Sequence, residues 1–223
     1  MGNVSILNFK LFETYKDSAS PKKVDDQFLR WFQTNNKTIK NTGGIRPRYF
    51  DNLKNYLSYP AFIVLATDDR PTSQNLSEWD DIIDVEKGKI LYWGDAKYSD
   101  LYIEKGFLAF FGNKNINKVA RVMQKNIRHL IPPVFHFMKK KKGYMFFTGL
   151  YVIENILIKE FYSQNHKIEN YQISLERIDI HQIDLSWIHA RTLAKDESEL
   201  MQNNPNQWAG FIQNKSRSIK YVN

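Results

Sequence analysis

Residues 115–130 carry an amphipathic helix pattern that runs into Pro132-Pro133, and this junction constrains the fold more than any other stretch of the chain. Ile116, Val119, Ala120, Met123, Ile127 and Leu130 recur at helical spacing on one face, with Lys118, Arg121, Lys125 and Arg128 on the others. Two successive prolines offer no backbone N–H and disfavour helix in the residue before them, so the helix must stop there. Beyond them the period changes. Val134-Phe135-His136-Phe137-Met138, four lysines, Gly143 and Tyr144-Met145-Phe146-Phe147-Thr148 predict a β-hairpin with its bend at Gly143.

The flanking segments repeat this mixture. Residues 21–40 predict a first helix: Pro21 suits its start, Val24, Phe28, Trp31 and Phe32 share a face, and Asn41-Thr42-Gly43-Gly44 ends it. A Gly-led loop follows, in which Arg46 and Arg48 flank Pro47 and are expected to stand out from a rigid backbone. Residues 61–66 predict a buried strand and 67–77 a polar loop, followed by the acidic cluster Glu78, Asp80, Asp81 and Asp84. Lys87-Gly88 is a turn before a strand at residues 89–93. Further strands are expected across 149–161 and 168–178. Helices close the chain, one with Trp187 and Ile188, another opened by Pro205 and carrying Trp208 and Phe211. The order helix, strands, helix, strands, helices is α+β and not a doubly wound alternation.

Composition narrows the chemistry. The net charge of +8 over 223 residues favours a polyanionic partner without identifying one. With no cysteine, a disulfide framework, a thiolate metal site and a thiol nucleophile are excluded. No apolar run approaches the roughly 20 residues that span a bilayer, and the N-terminus lacks a signal-peptide pattern. The chain therefore reads as soluble and cytoplasmic. His129, His136, His166, His181 and His189 form no i, i+4 pair and no HExxH, so each reads as a satisfied or surface histidine. GxSxG, P-loop and GxGxxG patterns do not occur.

One spacing does mimic a catalytic site. Asp84 followed by Asp95-Ala96-Lys97 imitates a PD-(D/E)xK nuclease, in which two carboxylates hold Mg²⁺ and the lysine orients or deprotonates water. The plainer alternative is a strand end whose Asp and Lys cap a turn or touch a ligand. Lys114 and Lys118 near a helix start, and Lys139, Lys140, Lys141 and Lys142 at a hairpin tip, could neutralise phosphates. Tyr49, Trp93, Tyr98 and Tyr102 lie near cations in sequence and could offer stacking faces; a core position is the open alternative for Trp93.

A series of local patterns then resembles the N-terminal recognition region of AspBHI-like, modification-dependent restriction endonucleases, the group that includes MspJI. Gly43-Gly44-Ile45-Arg46-Pro47 is similar to its early Gly-Gly segment. Trp79-Asp80-Asp81-Ile82-Ile83-Asp84, then Gly88 to Lys97, resembles its W-x-D-x-x-D…G-x-x-x-Y-x-G-D-x-K block. Arg128 with Pro132-Pro133 and Phe137, Phe147-Thr148-Gly149-Leu150, Asn170-Tyr171, Trp187-Ile188 and Pro205-Asn206-Gln207-Trp208 follow in the family's order. The match covers roughly residues 43–211. Ala96 and Tyr98-Ser99 stand where the family usually has an Asn and a Pro-Gly pair.

The resemblance implies an SRA-like, PUA-related, twisted and β-barrel-like core flanked by helices. Its implied layout is a helical segment at 1–42, a recognition core at 43–184 and C-terminal helices at 185–223. Such a core would read duplex DNA by extruding a modified cytosine, most simply 5-methylcytosine. Trp93, Tyr98 and Asp95 would then form the base pocket, with Asp95 accepting from the base edge. Lys97 would meet a nearby phosphate or base, Arg46 and Arg48 would enter a groove, and Asn113, Lys114 and Lys139 to Lys142 would contact the backbone. Binding would need no cofactor. Cutting would belong to a separate nuclease domain, making this chain the specificity half of a bacterial cytoplasmic enzyme that self-associates at full length. Two alternatives stay open: a compact Mg²⁺-dependent nuclease using Asp84, Asp95 and Lys97, and a reader of methyladenine or of an unmodified site.

Overall fold

The strands owe their arrangement to one long, bent element that sequence periodicity shows only in pieces. The computed structural model describes residues 8–17, 27–40, 43–69, 81–213 and 220–222. In chain order these form β1 (Asn8–Lys10), β2 (Thr14–Lys16), α1 (Gln27–Trp31), β3 (Ile45–Tyr49), β4 (Pro60–Asp68), β5 (Ile82–Asp84) and β6 (Lys89–Trp93). Then come α2 (Asp100–Lys105), α3 (Phe111–Gln124), β7 (Val134–Lys141), β8 (Tyr144–Ser163), β9 (His166–Arg177) and β10 (Gln182–Asp184). The chain closes with α4 (Leu185–Leu193), α5 (Glu197–Met201), α6 (Asn206–Gln213) and β11 (Lys220–Val222).

The large sheet runs β3-β4-β7-β8-β9-β6-β5, and β8 is its spine. Tyr151 of β8 pairs with Val134 of β7 on one edge and with Arg177 of β9 on the other. Its first half is covered by β7, its second by β9, and β2 and β11 occupy the edges these partners leave free. Register shifts opposite His136/Phe137 and at Ile153/Asn155 bend the strand between its two sets of partners. The fold is α+β with a sheet-dominated core. Among the described residues the sheet does not close: β3 and β5 remain its two edges, so the expected barrel-like form is corrected to an open, bent sheet.

β4 explains the apolar run around residues 61–66. It lies between antiparallel β3 and parallel β7, and residues 60–65 are all buried, as a strand covered on both faces requires. Phe62 of this strand joins Phe9, Phe28, Phe32, Phe135, Phe137 and Phe147 in one core continuous with Trp187 and Trp208 of the C-terminal helices. Burying each such ring contributes roughly 1.5–3 kcal/mol relative to exposure. Among the described residues no helix is long and apolar enough to cross a membrane.

Three sequence expectations change here. The first helix ends at Trp31, because Asn35 and Asn36 take left-handed backbone in a turn bridged by Thr34 and Lys37; its expected start at Pro21 and Val24 lies outside the described residues. The second helix spans 111–124 in place of 115–130; Asn126 turns left-handed and Arg128–Leu130 form a separate 3-10 turn. Arg46 and Arg48 are not in a protruding loop. They sit in β3 at 2% and 3% exposure, which takes them out of any nucleic-acid groove.

Each has an interior task. The Arg46 Nε donates to Gly43 O at 2.8 Å. Arg48 donates to Thr34, to Tyr49 O and to the buried Asp51 carboxylate at 2.7 Å, tying the N-terminal turn to the sheet. Burial pushes the Asp51 carboxyl up, but the Arg48 hydrogen bond and charge, with Thr34 and Lys37, hold it below the usual carboxylate range. His136, fully buried on β7, bridges Thr67 and Thr148 at 3.1 and 2.7 Å, and burial lowers it to about 3.

Two outcomes follow for stability. Asp51→Ala strands a buried guanidinium and should cost about 3–5 kcal/mol in urea denaturation. Lys37→Ala, which removes an exposed ammonium 3.4 Å from the same carboxylate, should cost less than about 1 kcal/mol. His136 is neutral in the fold and becomes protonated in the unfolded chain below about pH 6.5. Its contribution is therefore complete above that pH and is lost as pH falls toward 3. The slope of stability against pH in this window should flatten in His136→Gln.

Candidate nucleic-acid interface

Gly94 marks where β6 leaves the sheet. Its N–H donates to Tyr171 O at 2.8 Å, and a Cβ at this position would collide with the side-chain oxygens of Asn113 and Asn170. Only glycine lets the strand end approach two buried amides so closely. The next residue reaches back across the fold. One Asp95 oxygen accepts from Gly112 N at 2.7 Å and the other from Asn113 N at 2.9 Å, at the first turn of α3.

Phe110, at the N-cap of α3, supplies no side-chain cap. Asp95 does so from a distant loop, placing a carboxylate where the helix dipole and unsatisfied N–H groups favour it. Asn113 completes a reciprocal bracket: its Oδ1 accepts from Asp95 N at 3.0 Å, and its Nδ2 donates to Phe107 O and to Asn170 Oδ1, both at 3.0 Å. Asn170 on β9 in turn donates to Gly94 O at 3.0 Å. The 94–99 loop is thus fixed by β6, α3 and β9 through a buried, mutually satisfied polar network.

Aromatic groups gather beside this loop. Ala96, Phe110, Phe161 and Ile168 form an apolar cluster apart from the main core, and Trp93, Tyr98, Tyr102 and Phe107 pack on it half-buried. Trp93 tilts against Phe161 at 5.1 Å between ring centres, and its backbone N–H donates to Asp81 Oδ1 at 2.8 Å. Tyr98 lies parallel to the His166 ring at 3.6 Å, with its N–H held by Ser163 Oγ at 3.1 Å. The Tyr102 hydroxyl accepts from Glu169 N at 2.9 Å. His166 is placed by a tight β8–β9 turn in which Gln164 and Asn165 both take left-handed backbone.

The sequence-derived candidates therefore scatter. Trp93, Asp95 and Tyr98 come together with Lys97, which is exposed on the same loop, and Lys114 is exposed on the first turn of α3. Asn113 is fully buried and braces Asp95, which corrects its expected backbone-contact role. Lys139 is half-buried, 4.0 Å from Asp17, while Lys140, Lys141 and Lys142 are exposed at the opposite end of β8. Tyr49 is tied by its hydroxyl to Asn115 Oδ1 at 2.9 Å. Trp79, Glu78 and Asp80 lie outside the described residues. Asn170, Ser163, Phe161 and His166 were missed; only the Asn170-Tyr171 pair carried a signal, as part of the resemblance.

The nuclease alternative loses its geometry. Asp84 pairs with Lys89 at the start of β6, whereas Asp95 follows the strand's far end. Five strand residues intervene, about 13 Å or more of chain, where two ligands of one Mg²⁺ must each lie about 2 Å from it. Asp84 instead caps its own turn. The Lys87 N–H, with the Lys87 ammonium, holds its carboxyl below the usual range.

Comparison with known proteins fits this arrangement. No curated protein sequence matches the chain. Among solved structures, the MspJI restriction endonuclease in complex with a 27-mer oligonucleotide is similar, with a TM-score of 0.75 and 18% identity over 95% of this chain and 53% of that one. The DNA modification-dependent restriction endonuclease AspBHI gives 0.62 and 18% over 93% and 91%. The DNA recognition domain of the cytosine modification-dependent restriction endonuclease LpnPI gives 0.60 and 20% over 83% and 80%. At these identities the likeness is one of fold, and the chain spans about half the length of the MspJI chain. The family described as restriction endonuclease AspBHI N-terminal matches residues 9–223, and the chain belongs to that family.

Proposed function

We propose that this chain reads duplex DNA for a modification-dependent restriction endonuclease of the bacterial cytoplasm, taking an extruded modified cytosine at the 94–99 loop. The observation that carries this is the Asp95 carboxylate fixed on a loop whose sequence neighbours Trp93 and Tyr98 are half-buried aromatic rings. Each Asp95 oxygen accepts one hydrogen bond from α3 and keeps a second lone pair. That lone pair suits the exocyclic amine of a cytosine, and because the helix holds the carboxylate, little is lost in ordering it on binding.

Extrusion costs a few kcal/mol of unpairing and unstacking. Stacking on Trp93 or Tyr98 would offset this by about 1–3 kcal/mol per ring face. Lys97 and Lys114 flank the loop as phosphate partners, and the net charge of +8 supplies sequence-independent attraction. The modification itself, 5-methylcytosine or a relative, is supported by the family and by the description of LpnPI as cytosine modification-dependent. Cleavage would come from a separate nuclease domain, with self-association through the full-length enzyme; binding in this reading needs no cofactor.

Matched duplexes carrying cytosine, 5-methylcytosine or 5-hydroxymethylcytosine test this by fluorescence anisotropy at two salt concentrations. The wild type should prefer one modified duplex at both. Asp95→Asn and Trp93→Ala should each reduce that preference about tenfold, with the folded circular-dichroism spectrum retained. Equal, salt-labile binding to all three duplexes by the wild type would refute modified-cytosine reading and leave an unmodified-site reader or a merely basic protein.

A further inference from the structure

The opposite end of β8 holds a second set of cations and rings that the pocket does not use. Lys140 Nζ lies 4.3 Å over the Phe146 ring and Lys141 Nζ 5.3 Å over Tyr144. Phe146 stacks on Phe12 at 6.2 Å and 12°, and the Arg177 guanidinium sits 5.1 Å over Phe12. Arg177, Phe12, Phe146 and Lys140 thus form a stacked ring pair with a cation against each ring. Lys142 and Lys16 add two exposed charges at the same hairpin end.

Three features separate this patch from an ordinary solvated surface. Phe12 and Tyr144 are 45% and 40% exposed, so large apolar rings meet water beside cations. Phe12 also holds a φ of +64°, a conformation costly for an aromatic residue, with its N–H donating to Phe147 O at 2.9 Å. Finally, a cavity of about 410 Å³ opens between Thr14, Lys140, Lys141, Tyr144 and Phe146, within the size range of ligand sites. Among the described residues no carboxylate pairs with Lys140, Lys141 or Lys142.

Exposed lysines beside aromatic rings match a chain that carries both phosphates and flat bases. We propose that the β7–β8 hairpin end is a second nucleic-acid contact, binding a single-stranded segment with phosphates on Lys140, Lys141 and Lys142 and a base against Tyr144 and Phe146. It rests on the DNA-reading proposal only for the class of partner and needs no modified base. Phe146 and Phe161 lie near opposite ends of β8, so in this proposal the two contacts meet different stretches of nucleic acid.

Anisotropy of a labelled 12-mer of thymidine with the intact chain tests it. Lys140→Gln, Lys141→Gln and Lys142→Gln combined should weaken binding at least about tenfold at low salt. Tyr144→Ala, at an exposed ring whose loss the fold tolerates, should weaken it about fivefold or more. Both variants should keep the wild-type ratio between modified and unmodified duplexes. Unchanged 12-mer affinity in either variant overturns the proposal, as does displacement by a polyglutamate peptide as effective as by unlabelled 12-mer. Absence of any modified-duplex preference in the wild type would sink the pocket reading alone, since the 12-mer series is scored independently.

Discussion

The hydrogen bonds from the first turn of α3 to Asp95 set the position of almost everything else at the candidate pocket. They join a strand end to a helix start, and through Asn113 and Asn170 they add β9 to the same joint. Gly94 permits the close approach, and Gly112 does the same on the helix side, where a Cβ would press on the Asp95 carboxyl carbon. Removing the carboxylate would leave buried N–H groups without partners, at roughly 1–3 kcal/mol each. A single acidic side chain therefore caps a helix and, in the proposed reading, would offer an oriented acceptor to a base.

Among the described residues the buried cations are arginines, Arg46, Arg48, Arg128 and Arg191, while Arg30 and Arg121 are exposed. Arg48 anchors the N-terminal turn, and Arg191, fully buried, donates to Ala61 O, His129 O and Ile131 O, joining α4 to β4 and the 3-10 turn after α3. Burial lowers Arg191 to about 9, so it stays cationic at neutral pH. The planar, many-donor guanidinium suits such multiple carbonyl contacts. Lysines instead occupy the exposed positions at the 94–99 loop, α3 and the β7–β8 hairpin. Part of the chain's positive balance is thus arginine that does not reach the surface.

Local physics was legible in the sequence wherever the signal was local. The apolar run of β4, the strand at residues 89–93, the hairpin across Gly143 and the buried face of α3 all follow from periodicity and turn chemistry. The start of α3 did not, because its cap lies on another loop and no Ser, Thr, Asp or Asn stands at its N-cap. Arg46 and Arg48 were misplaced for a related reason: Pro47 reads as a loop residue, yet β3 is an edge strand that tolerates it, and the partners of Arg48 lie at Thr34 and Asp51. Asn113 looked like a phosphate contact until its partner at Asn170 was visible. The pocket roles of Trp93, Asp95 and Tyr98 came from the resemblance, since spacing alone left Asp95 open between a strand-end cap and a nuclease ligand and the two rings as general stacking faces.

The most direct measurement is amide hydrogen exchange of the chain bound to matched modified and unmodified duplexes. If the Asp95 joint frames a modified-base pocket, residues 94–102 and 161–170 gain protection with the modified duplex that the unmodified duplex does not give. Equal protection by both duplexes, or a difference confined to other segments, would contradict that account.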